Sequence, residues 1–395
     1  MSLKAGKITS KRTRRQSGLS LVELMIAVTL GMILTAGVIQ IFVSSEAAYD
    51  TTRGLSHLQE NGRFALTFMT RDARLSGYSL CTQAVRHNIH NLTNNTYLST
   101  TRYQNFVDIA APVHGWEAQN TGPGDTPLAL GKFPTPSTAM SNWSDDGGNA
   151  LDSYFSGRVL PGSDVVVFKR TMTAFGDDGA LPEPKNTGNV AASTTTINLN
   201  EDSGIANKAY VLLNDCKGAD VFVNNSAPDQ TNVDRGGSNN NTALTLSHDY
   251  GAGQMRLATV RTTAYFVGQG TSGEPALFRW QLQGNTFDEL LEGVESLQVL
   301  YGEDTNGSVP PSVDTYVTAD NVTDWGNVLS VKIALLMRNV EDTGGQPDTR
   351  VYKLGAAGDP TSNTNLVRLD PADMRRLRDV YKSTITLRNS MARFQ

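Results

Sequence analysis

One uncharged run constrains this chain more than anything else in it. From Leu24 to Val43 the sequence LMIAVTLGMILTAGVIQIFV carries no charge over 20 residues. Coiled as a helix at about 1.5 Å per residue, it spans roughly 30 Å, the thickness of a bilayer's hydrocarbon core. Ahead of it, residues 1–18 hold Lys4, Lys7, Lys11, Arg12, Arg14 and Arg15 and no acid. Basic residues before an apolar span keep the N-terminus in the cytoplasm and send the remainder across. Nothing after Val43 approaches a second span. The pattern predicts a single-pass protein with a large exported part, and a mean hydropathy of -0.30 excludes a polytopic one.

An ordinary signal peptide fits poorly. The apolar run exceeds the usual span of about 7–15 residues, and SSEAAYD after it is a weak cleavage site. Glu23 also stands at the start of the segment, where an acid costs up to roughly 2.5–3.5 kcal/mol near the bilayer core. A carboxylate kept there invites a functional reading.

The string RRQSGLSLVELMIAVTLGMIL resembles a type IV prepilin signal: basic leader, Gly18, then an apolar helix with Glu23 five residues on. The resemblance implies that prepilin peptidase cuts between Gly18 and Leu19 on the cytoplasmic side and N-methylates Leu19. It departs from the pattern in one place, since the first mature residue is usually Phe. The physical logic is consistent with those roles. Gly18 lets a protease approach the backbone closely. The new amine at Leu19 is mostly cationic at neutral pH and costly to bury unpaired among helices, so the Glu23 carboxylate is its nearest counter-charge.

Beyond the span, SSEAAYDTTRGLSHLQENGRFALTFMTRDARLSGY has no Pro. It repeats Leu55, Leu58, Ala65, Met69 and Ala73 at helical spacing. One helix is predicted from about Leu19 to Ser76, its second half laid on a globular domain, with Gly77 as the stop. Arg63, Arg71 and Arg74 read as a solvated face. The segment LQENGRFALTFMTRDARLSGY is similar to the one that follows the membrane helix in PilW-type minor pilins, and ELLEGVESLQVLYGED, VLSVKIALLMRN and MRRLRDVYKSTITLRN resemble that family's C-terminal half.

The exported part opens with an irregular stretch, rich in Asn, Gly and Pro, from about residue 81 to 162. Strand-type runs follow at 164–170, 194–200, 209–215, 219–225, 257–268, 276–282, 294–302, 328–338 and 383–388, with alternation clearest in Val260, Thr262, Ala264 and Phe266. Residues 371–381 read as a short helix beginning at Pro371. The fold class is α+β and pilin-like: a long N-terminal helix, then an antiparallel β domain in one or two sheets. The expected divisions are a leader over 1–18, the helix over 19–76 with its membrane part about 21–43, a loop-rich excursion over 77–163, and a β-rich globular domain over 164–395.

Candidate chemistry is sparse. An exported domain lies in an oxidising compartment, which favours a disulfide between Cys81 and Cys216. GEDTNGSVPPSVD has ligand-type residues at Asp304 and Asn306. Ser308 and Val309 stand where a calcium loop has a third ligand and a glycine, so the stretch reads as a degraded calcium loop serving as a hairpin connection. His87 and His90 read as surface residues, Trp116, Trp143, Trp280 and Trp325 as packing residues, and His248-Asp249 as a dipeptide with no assignable nucleophile. No HExxH, GxSxG, P-loop or dinucleotide fingerprint occurs. No enzyme activity and no cofactor are expected.

The resemblance implies a minor type IV pilin, a structural subunit stored in the inner membrane with a periplasmic C-terminal domain. It would be built with other minor pilins and the major pilin into the pulus tip or initiation complex, and would support a large tip adhesin, pilus biogenesis, twitching motility and adhesion. The alternatives are a minor pseudopilin of type II secretion and, from another class, a membrane-anchored periplasmic binding protein or enzyme. Removing residues 1–18 takes six of 34 basic residues and no acid, leaving 28 against 39 and a net charge of -11. So acidic a chain is not expected to bind nucleic acid directly.

Overall fold

The computed structural model describes residues 18, 20–78, 89–122, 128–130, 135–173, 184–215, 217–236, 239–341, 348, 350, 352–354, 366–369 and 375–391. The chain divides into two units, residues 1–52 and 53–395. Helix α1 (Leu21–Leu75) contributes to both. In the first unit every helical residue is exposed. The hydroxyls of Thr29 and Thr35 turn back onto the Met25 and Gly31 carbonyls at 3.0 and 2.7 Å, so their polarity is satisfied within the helix. In the second unit Leu58, Gly62, Ala65, Met69 and Ala73 are buried. Their spacing of threes and fours makes one narrow face of mostly small side chains. The helix stops where expected: Gly77 takes a φ of 72°, which suits glycine, and its N–H donates to the Lys169 carbonyl at 2.8 Å.

After the helix come β1 (Ile89–Asn91), α2 (Thr100–Phe106), β2 (Val113–Ala118), β3 (Leu128–Leu130) and β4 (Trp143–Ser144). Next are β5 (Val165–Thr173), β6 (Thr196–Asn198), β7 (Tyr210–Asn214), β8 (Ala219–Val223) and β9 (Asn232–Asp234). The long β10 (Arg256–Gln269) leads into β11 (Pro275–Gln281), β12 (Thr286–Glu292) and β13 (Val294–Glu303). β14 (Thr315–Val317), β15 (Val328–Arg338), β16 (Tyr352–Lys353), β17 (Leu366–Leu369), β18 (Arg378–Thr386) and α3 (Arg388–Met391) complete the chain.

Among the described residues these strands form several sheets, mostly antiparallel. A nine-stranded sheet runs β1-β8-β7-β10-β5-β2-β4, with β11 and then β12 added beside β10. A four-stranded sheet runs β14-β13-β15-β18, and small sheets join β16-β17-β3 and β6-β9. β10 is the spine of the large sheet: its first residues pair with β7, its last with β11, and most of its length with β5 on the other edge.

Strand alternation sorts the apolar residues into separate cores. Val166, Phe168, Tyr265 and Val267 face a core shared with Leu58, Ala65, Met69 and Ala73 of α1 and with the four-stranded sheet's Leu297, Val331, Ile333 and Leu335. Their neighbours Val165, Val167, Ala264 and Phe266 face a second, aromatic core with Phe106, Trp116, Trp143, Phe155 and Trp280. A strand buried on both faces has to be apolar at successive positions, which accounts for the run DVVVF. A third core gathers Val211, Leu213, Phe222 and Leu257. Trp325 joins the first core, so all four tryptophans are packing residues.

Two sequence expectations differ from the fold. Residues 378–381 are strand, not the end of a short helix; 371–374 of that expected helix lie outside the described residues. β18 pairs with β15 along its whole length, from Arg378 opposite Arg338 to Thr386 opposite Ser330. The helix expectation rested on Pro371, which lies outside the described residues, while Arg378, although charged, is buried in the strand. β2 is absent from the expected strands because His114 and Glu117 make VHGWEA look polar, yet every residue of it is buried.

Candidate assembly segment

The start of α1 is a reciprocal cap. Ser20 donates through its backbone N–H and its hydroxyl to Glu23 Oε2 at 3.1 and 3.2 Å, and the Glu23 N–H donates back to the Ser20 Oγ at 3.2 Å. This S-x-x-E capping box satisfies amide donors that a helix leaves open at its first turn, and places a carboxylate at the positive end of the helix dipole. Gly18 is exposed just ahead of the box, and Leu19 lies outside the described residues. Ser20 was not among the expected site residues, although the S-x-x-E spacing was available to find it. The 55-residue helix is the one element among the described residues long and apolar enough to cross a membrane.

The second half of α1 is seated on the four-stranded sheet by small residues and by polar ties at its end. A Cβ on Gly62 would lie 2.6 Å from the Tyr381 ring of β18, so glycine lets the helix approach that aromatic closely. Tyr265 of β10 donates its hydroxyl to Asp72 Oδ2 at 2.8 Å, and burial together with the Asp72 charge holds the phenol in its protonated form. Asn389 of α3 donates to the Ser76 carbonyl at 2.9 Å.

The same sheet is clamped at one end by a buried ion network. Glu295 at the start of β13 accepts two bonds from Arg378 of β18, at 2.9 and 3.0 Å, and lies 3.3 Å from Arg338 of β15. Arg338 also pairs with Glu274, which meets Arg376 at 3.2 Å. Three strands are thereby fixed in register by charge-assisted bonds of a forked kind.

The remaining candidates occupy other places. Cys81, Cys216 and His87 lie outside the described residues. Asp304 Oδ1 accepts from the Gly307 and Ser308 amides at 2.8 and 3.3 Å, while the Asn306 side chain donates to Asp314 Oδ1 at 2.7 Å. Both side chains thus brace their own loop, and no group of three His, Cys, Asp or Glu suited to a metal occurs among the described residues. His90 Nδ1 meets the buried Asp220 at 3.0 Å. His248 lies between Ser247 Oγ and Asp215 Oδ1, each at 2.9 Å. That Ser-His-Asp line is tied off, because Ser247 also donates to Asp220 Oδ2 at 2.8 Å and Tyr250 donates to the same oxygen at 2.6 Å. Together these bonds fasten the loop of residues 246–250 to β8.

Comparison with known families gives two matches. Residues 264–389 match PilW, the Type IV Pilus-assembly protein W family, and residues 13–39 match the prokaryotic N-terminal methylation motif. Together the two matches support a PilW-type type IV pilin with a methylation signal. The methylation motif contains Gly18, Leu19, Ser20 and Glu23. The PilW match runs from mid-β10 to Asn389 and so includes Tyr265, Glu295, Tyr381 and the whole four-stranded sheet, the platform for the second half of the helix. It excludes β2, the aromatic core's Phe106 and Trp116, and the loops around β6 and β9. Comparison with curated proteins and with solved structures found no match to this chain.

Proposed function

We propose that this pilin is a structural subunit stored in the inner membrane through about residues 21–43, with its β domain in the periplasm. Prepilin peptidase cuts between Gly18 and Leu19 and methylates the new amine. The subunit then enters the pilus through α1, and Glu23 offsets the Leu19 amine in the helical core. The subunit stands at the pilus tip, in the complex that initiates assembly, next to other minor pilins, the major pilin and a large tip adhesin, a position that the size of the β domain supports. Its loss would reduce pilus biogenesis, twitching motility and adhesion. The disulfide between Cys81 and Cys216 belongs to the same reading.

The observation that carries this is the single 55-residue helix: its first part is apolar on all sides behind a methylation motif, and its second part has one buried face on the PilW sheet. A helix that is apolar all round needs either lipid or other helices, and a pilin uses the two in succession. The test is mass spectrometry of the mature N-terminus in wild type and in a strain lacking the peptidase. N-methyl-Leu19 in the first and an intact leader in the second are expected. A mature chain that keeps residues 1–18 in wild type overturns the proposal.

A further inference from the structure

The loop of residues 246–250 meets β8 and the end of β7 around His248, and the hydrogens in that contact can be assigned one by one. Asp220 of β8 is wholly buried and accepts four bonds. The His90 ring and the Ser247 amide donate to its Oδ1 at 3.0 and 2.8 Å, and the Ser247 and Tyr250 hydroxyls donate to its Oδ2 at 2.8 and 2.6 Å. Burial, then the Asp220 charge, pushes the Tyr250 phenol upward, so it keeps the hydrogen it donates. A serine hydroxyl has one hydrogen, and that of Ser247 goes to Asp220. Ser247 Oγ can therefore only accept from the ring nitrogen beside it, His248 Nδ1 at 2.9 Å. At the far side of the ring, Nε2 lies 2.9 Å from Asp215 Oδ1, which also accepts from the Lys217 amide at 3.0 Å. An ionised carboxylate only accepts, so Nε2 donates as well. Both ring nitrogens then carry hydrogen, and a histidine in that state is a cation.

We propose that His248 is held as an imidazolium, and that this one proton latches the loop of residues 246–250 to β7 and β8 and releases it in alkaline conditions. The surroundings suit a cation. The Asp215 side chain is 2% exposed and its second oxygen is buried without a partner, so the imidazolium is what meets its charge. The Tyr250 ring lies against the imidazole, centroids 4.3 Å apart, and offers an electron-rich face. On the other side stands Gly218, where a Cβ would crowd His248 Cε1 at 3.0 Å. The remaining charged groups are Lys217 beside Asp215, His90 on Asp220, Arg235 within reach of the Asp220 charge, and Asp249, whose Oδ1 accepts from the Ala192 amide at 2.7 Å. When the ring loses its extra proton, one of its two bonds becomes a contact between two acceptors, at Ser247 Oγ or at Asp215 Oδ1. If it fails at Asp215, a buried carboxylate is left unmet. The latch thereby governs a lobe outside the PilW match, because the same loop pairs Tyr250 with Val190 and bonds Leu246 to Ala192.

The test is nitrogen NMR of the detergent-solubilised full chain with isotope label in the histidine rings alone, joined to amide hydrogen exchange. The chain has five histidines, and His248→Gln assigns the signal. At pH 7, where a free histidine is mostly neutral, both ring nitrogens of His248 should read as protonated. A neutral ring at that pH, which puts the extra proton on Asp215 or Asp220, overturns the proposal. Exchange at the Ser247 and Tyr250 amides, corrected for intrinsic rates and taken relative to the amides of β10, should quicken about tenfold or more between pH 6 and pH 10, the loss of one charge-assisted bond. His248→Gln, neutral at every pH, should exchange quickly throughout with no such step, whereas His90→Gln should keep it. Level protection in the wild type, a step that persists in His248→Gln, or a step lost in His90→Gln each overturns the proposal. If His248→Gln does not fold, the wild type still decides: the exchange step and the loss of a ring proton must share one midpoint, and a mismatch overturns the latch.

Discussion

Glu295 and Glu117 are buried to the same extent, each 6% exposed, in strands of different sheets. Glu295 sits in the four-stranded sheet against Arg378 and Arg338, and its charge is met by two guanidinium groups. Glu117 sits at the end of β2 beside another acid, Asp164, and is met by the Thr121 hydroxyl at 3.1 Å and the Ala319 backbone where Glu295 has guanidinium groups. Equal burial therefore has opposite consequences. The first arrangement fixes a platform: each arginine reports on the register of one strand. The second keeps a region in electrostatic debt, sensitive to pH. The first lies within the PilW match and the second outside it.

The largest effect expected from breaking this contrast is at Glu295. Glu295→Leu leaves Arg378 and Arg338 buried without their shared carboxylate, and should cost about 3–5 kcal/mol, the range for removing one partner of a buried pair. Chemical denaturation of the solubilised chain measures it. A loss below about 1 kcal/mol would show that Glu274 alone suffices for the arginines.

A smaller effect of opposite sense is expected at Glu117, and it depends on pH. The Asp164 carboxyl is pushed up to about 7 from an ordinary 3.8, chiefly by burial, and Glu117 is raised as well, again chiefly by burial. Both groups hold protons longer in the folded state than in the unfolded chain. The favourable contribution of Asp164 is complete below about pH 4 and is lost as pH rises through about 7, and that of Glu117 is lost as pH rises through its own raised pKa. Wild-type stability should thus fall between pH 5 and pH 8 on this account. Glu117→Gln should flatten that slope and raise stability at pH 8. An unchanged slope in thermal melts across this range would contradict the pairing described.

The smallest effect on stability is expected at a third glutamate, the exposed Glu23. Glu23→Ala removes the reciprocal cap at a cost of about 0.5–2 kcal/mol to the helix start. Glu23→Gln keeps a capping acceptor and removes only the charge. Both should still be cleaved at Gly18 and both should fail to enter sheared pili, if the charge is what offsets the Leu19 amine. Incorporation of the Gln variant alone would assign the residue to capping.

How much of this was legible varied with the kind of interaction. The α1 helix was readable nearly to the residue because its signals are local: an unbroken apolar run, Leu58, Ala65, Met69 and Ala73 at helical spacing, and Gly77 at the end. The long strands β10 and β15 were readable because their alternation repeats over many residues. What escaped was decided by distant partners. Nothing near Arg378 in sequence says that Glu295 neutralises it, so a buried strand residue fell inside an expected helix. Nothing near Glu117 says that Trp116 and Ala118 beside it enter an aromatic core, so β2 looked like loop. The Ser20 cap is local, and the S-x-x-E spacing carries it in the sequence.

That cap has a consequence for the order of events. Every donor and acceptor in it belongs to Ser20 or Glu23, and none lies on the N-terminal side of Gly18. The proposed cut after Gly18 would take none of these three bonds from the helix start. The precursor and the shortened chain can then share one helix end, finished before the peptidase arrives, so that maturation is a change of terminus and not an episode of refolding.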